Sequence, residues 1–80
     1  MHRRAVIIGL VRVREVNKRI EGHGGVFVRQ KGSHRVYRVN RGTWVIMVVV
    51  PQHTGDVPRG TLRSIERDLE PMLGERWLTW

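Results

Sequence analysis

Cysteine is absent from this 80-residue chain, which removes disulfide staples, thiolate zinc sites and cysteine nucleophiles in one step. Long hydrophobic runs are missing too. The longest apolar stretch, Trp44 to Pro51, is eight residues, far short of the ~20 that a membrane-spanning helix needs. Acids are scarce, with 7 Asp+Glu against 15 Lys+Arg, for a formal charge of +8. No repeat, low-complexity tract or linker divides the chain, and its length suits one domain over residues 1–80. So short a chain buries only about 60% of its unfolded surface, so the core is expected to be small. The opening "MHRRAVIIGLVRV" has the charged start of a signal peptide, but Arg12 breaks its apolar part and no small-residue cleavage site follows. The expectation is a soluble, cytoplasmic protein with no membrane contact.

The positive charge is lopsided. Residues 1–41 contain 11 Lys+Arg and 2 acids, whereas residues 42–80 contain 4 and 5. Such an excess on one half is the electrostatic footprint of a phosphate-binding face. A solvated basic surface, or a face neutralised by an acidic partner, would produce the same count.

Residues 5–13, "AVIIGLVRV", are β-branched and apolar and read as a strand without an assigned partner. "REVNKRIEGH" (14–23) predicts a short helix: Val16 and Ile20 share a face, Glu15 suits the first turn, and Gly24-Gly25 supplies a stop. Asn17 interrupts its apolar stripe. "VFVRQ" (26–30) and "HRVYRVN" (34–40) flank the hairpin connection "KGS", and "WVIMVVV" (44–50) follows a second turn at Gly42. The third strand is apolar throughout, which points to the central or best-covered position. Pro51 should end it. A second helix is expected over 58–70 on the spacing of Leu62, Ile65 and Leu69, with Pro71 closing it and Trp77 and Trp80 folding back onto the core. The order α-β-β-β-α is that of an α+β two-layer sandwich with a three-stranded antiparallel sheet.

The chemistry has few places to sit. Four histidines stand at positions 2, 23, 34 and 53, at spacings that match no zinc site, and neither a metal nor another cofactor is expected. His2 and His23 are assigned no role. His34 lies in "RQKGSHRVYR" among Arg29, Lys31, Arg35 and Arg38. An imidazole can take or give a proton near neutrality, and adjacent cations stabilise charge building on a phosphate. Together these suit metal-free cleavage of RNA, whose 2′-hydroxyl is an internal nucleophile that DNA lacks. The plainer reading is that a histidine at a hairpin is only a turn residue. Ser33 is read as a turn or phosphate-contacting residue, since no acid is placed to complete a triad.

"REV" at 14–16, "RQKGSHR" at 29–35, Pro51-x-His53 and "PRGTLRSI" at 58–65 together resemble the HicA family of small toxins from toxin–antitoxin pairs. The resemblance covers residues 14–70, leaving 1–13 as an added N-terminal segment and 71–80 as a tail. It implies the αβββα fold of a double-stranded-RNA-binding domain and an endoribonuclease that cuts mRNA without a metal. It also implies silencing by a HicB-like antitoxin. The family's catalytic histidine falls on His34, with Gly32 and Ser33 matching beside it. Lys31, Arg35 and Arg29 are the expected phosphate ligands, and His53 matches a second recurring histidine, structural or lining the site. A non-catalytic RNA-binding or antitoxin-binding module of the same fold is the alternative, and an adaptor docking through the tryptophan-rich tail is a third reading.

Overall fold

The computed structural model describes residues 11–78. Five elements follow in the order α1 (Val13–Gly22), β1 (Val26–Lys31), β2 (His34–Arg41), β3 (Trp44–Pro51) and α2 (Arg59–Leu73). The strands form one antiparallel sheet in the order β1-β2-β3. This is the α+β order of the double-stranded-RNA-binding domain. Both helices lie on one face of the sheet. Val16 and Ile20 of α1 and Ile65 and Leu69 of α2 are buried against Tyr37, Val39, Val48 and Val50. Burying a side chain of this size contributes about 1.5–3 kcal/mol, and these few residues are most of the core.

Local chemistry explains the boundaries. Both hairpins turn on two residues, and Gly32 and Gly42 each sit at φ 59°, where an L side chain is strained. Helix α1 stops where Gly24 turns at φ 92° and the Gly25 amide donates to the Ile20 carbonyl at 2.8 Å. Before α1, Arg12 bridges Asp56 and the Val57 amide donates to the Val11 carbonyl at 2.7 Å, which ties the 52–57 loop to the start of the helix.

Three expectations are corrected. First, β3 is not central. Consecutive hairpins lay the strands side by side in chain order, so β2 takes the middle and β3 an edge. Its second apolar face, Val45, Met47 and Val49, stands 47–54% exposed. Second, Pro71 does not close α2, which runs on to Leu73. Proline's φ is helical, and its missing N–H forfeits a single bond to the Arg67 carbonyl. One turn before it, the Trp77 indole donates to the Glu66 carbonyl at 2.7 Å, and Gly74 ends the helix at φ 93°. Third, Val13 belongs to α1 and Arg12 makes only an isolated bridge, so the strand expected over 5–13 does not include them. Its residues 1–10, and the expected packing of Trp80, lie outside the described residues. Trp77 and Leu78 do fold back and are buried.

Candidate active site

Opposed residues of an antiparallel pair project to the same face of a sheet, so the register sorts the side chains. Tyr37 and Val48 face the helices. The alternate set forms the open face, in rows read across the strands: Lys31–His34–Pro51, Arg29–Val36–Val49, Val26–Arg38–Met47 and Asn40–Val45. Rows lie about 6.6–6.8 Å apart along the strands. His34 is exposed at one corner of this face, beside Lys31 and one row from Arg29.

A β-bulge brings those cations there. The pairing of β1 with β2 shifts between Phe27 and Arg29, so Val28 has no opposite number. Phe27 pairs with Tyr37 on the helix face. With strict alternation Arg29 and Lys31 would follow it, and the extra residue turns both to the side of His34 instead. Nothing in the composition of β1 signals this shift.

Arg35 goes the other way. It stands opposite Gln30 and Val50 in the helix-facing set, and its side chain is engaged there. Its Nε donates to Gln30 Oε1 at 3.0 Å and an Nη to Tyr37 Oη at 3.3 Å. The guanidinium lies 5.4 Å from the Phe27 ring centroid, within cation–π range. Tyr37 in turn donates to Glu21 Oε2 at 2.6 Å. Burial, then the bond to Glu21, raises the Tyr37 pKa above 10.0, with Arg35 opposing. The structure thus brings Lys31 and Arg29 to His34's face and leaves Arg35 behind it. Gly32 and Ser33 form the exposed turn itself, and Gln30 Nε2 donates to the Gly32 carbonyl at 3.1 Å.

The β2–β3 ladder fixes the other flank. The Gln52 amide donates to the Ser33 carbonyl at 2.6 Å, so His34 and Pro51 form a non-hydrogen-bonded pair, the kind with the closer side chains. Proline costs no ladder bond at such a position. The Gln52 side chain turns to the helix layer. Asn17 Nδ2 donates to its Oε1 at 3.0 Å, and its Nε2 donates to Asn17 Oδ1 at 3.4 Å and to the Val50 carbonyl at 3.0 Å. Asn17 is only 7% exposed, and this pairing is what satisfies it. His53 follows, exposed. His23 caps the end of α1 and meets the Trp77 ring edge-on at 5.6 Å, a packing role.

The field over the open face has one sign. No acid occurs between Glu21 and Asp56, a segment with Arg29, Lys31, Arg35, Arg38 and Arg41. Among the described residues no group of three or more His, Asp or Glu side chains is placed to hold a metal ion. No helix among them is long and apolar enough to cross a membrane. A recess lined by Glu15, Lys18, Arg19, Gly22 and His23 lies on α1, in the layer away from His34. An exposed imidazole with cations on its own face is equipped to move a proton next to a bound phosphate.

Against protein-family models, residues 13–70 match the HicA toxin of bacterial toxin–antitoxin systems. Comparison with curated proteins and with solved structures finds no match. The matched span takes in both helices almost whole, the three strands, the Gly32–His34 turn and His53. The chain belongs to the HicA family of toxins.

Proposed function

We propose that this toxin is a metal-independent endoribonuclease acting on mRNA in the cytoplasm, with His34 as its acid–base residue. The observation that carries the reading is the placement of His34, exposed at the corner of a sheet face that holds Lys31 and Arg29 beside it and no acid. His34 takes the proton of a 2′-hydroxyl as that oxygen bonds to the adjacent phosphorus. The bond from phosphorus to the 5′-oxygen breaks, leaving a 2′,3′-cyclic phosphate and a 5′-hydroxyl. Lys31 and Arg29 stabilise the charge on the phosphorane. The exposed turn residues Gly32 and Ser33 contact the same phosphate, and Arg35 braces the strand from behind through Tyr37 and Gln30. A HicB-like antitoxin silences the toxin.

The exposed Val45, Met47 and Val49 on the same face favour a second reading, a module that binds its antitoxin or RNA without cutting. Expression of the toxin alone in bacteria separates the two. The ribonuclease reading predicts growth arrest that His34→Ala relieves at equal protein level. Arrest that persists in the variant, or normal growth with folded wild type, contradicts it.

A further inference from the structure

We propose that His53 is the second catalytic residue, the proton donor to the leaving 5′-oxygen, and that the Asn17–Gln52 amide pair is the positioning element that keeps it at the His34 corner. The inference rests on the ribonuclease reading of that corner and adds to it the group on the other side of the phosphate.

Three observations lead to it. Pro51 stands opposite His34 on the open face. Gln52 extends the ladder by one residue, its amide bonded to Ser33 and its side chain turned to the helix layer on Asn17. His53 follows Gln52 directly and is exposed, two residues along the chain from the Pro51 that stands opposite His34, which keeps it within a few residues' reach of that corner. The clamp is built from a costly part. Asn17 sits in the buried stripe of α1 between Val16 and Ile20, where an apolar residue would pack without needing a partner. Its amide reaches across to the residue just before His53, while that same residue's backbone binds the one just before His34. Each histidine is therefore one peptide unit from a shared hydrogen-bonded junction.

The chemistry needs a group there. As the 2′-oxygen closes on phosphorus, its proton passes to His34, and the departing 5′-oxygen leaves as an alkoxide unless it is protonated. His53 in its imidazolium form supplies that proton. One proton is taken and one given, so the products carry no net change in protons, and neither an oxidant nor a reductant enters.

The test uses two RNA oligonucleotides in EDTA, one ordinary and one with sulfur in place of the bridging 5′-oxygen at the cleaved linkage. A thiolate leaves without a proton. His53→Ala, at an exposed position, should lower kcat on ordinary RNA about a hundredfold with KM little changed, and should cut the sulfur substrate at nearly the wild-type rate. Gln52→Ala and Asn17→Leu should show the same pattern in weaker form, while His34→Ala stays slow on both substrates. His53→Ala that cuts ordinary RNA like the wild type, or that loses the same factor on both substrates, overturns the inference and leaves His34 in place. A folded wild type that cuts neither substrate, or a His34→Ala that matches it, overturns the ribonuclease reading itself.

Discussion

Tyr37, fully buried at the centre of β2, donates a 2.6 Å hydrogen bond to the Glu21 carboxylate at the end of α1. This bond joins the strand that begins with His34 to the helix that covers it. It also links Arg35 to α1, because Arg35 donates to the same hydroxyl. Tyr37→Phe should keep the fold and lose about 1.5–3 kcal/mol, the worth of a hydrogen bond to a charged group, as read by urea unfolding.

The same bond sets a dependence on alkaline pH. Burial and Glu21 raise the Tyr37 pKa above 10.0, so the unfolded chain gives up the proton first. The stabilisation is complete below about pH 10 and is lost as pH rises through the folded-state pKa. Unfolding midpoints should fall through that range in the wild type and fall less in Tyr37→Phe. Equal slopes would remove the tyrosine from the account.

Gly25 holds a contact that no side chain can share. A Cβ there would meet the Ile20 side chain and stand 2.7 Å from the Ile20 carbonyl oxygen. Ile20 is fully buried, so neither partner moves aside easily. Gly25→Ala should cost about 1–3 kcal/mol through overpacking. Gly22→Ala, where the added atom meets nothing within 4 Å, is the control and should unfold at or above the wild-type midpoint.

Much of this was legible in the chain. The pairing of Val16 with Ile20, the two glycine turns and the Leu62–Ile65–Leu69 spacing place every element to within a few residues, because period and turn chemistry are local. What escaped is set by pairing between elements. The bulge at Val28 inverts the faces of Arg29 and Lys31, and only the register with β2 reveals it. The edge position of β3 follows from hairpin order, and its doubly apolar pattern argued the other way. Asn17 looked like a flaw in an apolar stripe until Gln52, 35 residues on, supplied its partner. Arg35 read as a phosphate ligand beside His34, yet adjacent strand residues face apart.

Among the described residues, Trp77 and Leu78 tie the tail to the core. Trp77 is buried and its indole donates to the Glu66 carbonyl. Trp77→Phe should lose about 1–2 kcal/mol with the bond, and Trp77→Ala about 3–5 kcal/mol with the ring. The second figure is a large share of the stability a chain of this length has, about 4–12 kcal/mol, so that variant should melt far below the wild type by circular dichroism, and well below Trp77→Phe.

RNA affinity should fall with added salt, because Lys and Arg release counterions from phosphates. Arg29→Ala and Lys31→Ala should each flatten the logarithmic salt slope by about 0.7 on single-stranded RNA without loss of stability. Arg35→Ala should do the reverse, lowering the melting temperature through its lost contacts to Tyr37 and Gln30 and leaving the slope near the wild-type value.

The proposed chemistry is cleavage of RNA, without a metal, by an exposed histidine on a cationic sheet face. Its most direct measurement is cleavage of an mRNA by purified toxin in EDTA, wild type beside His34→Ala. Cleavage should survive EDTA, end in 2′,3′-cyclic phosphate and disappear in the variant. Equal cleavage by both proteins, or an intact transcript with a folded wild type, would contradict it.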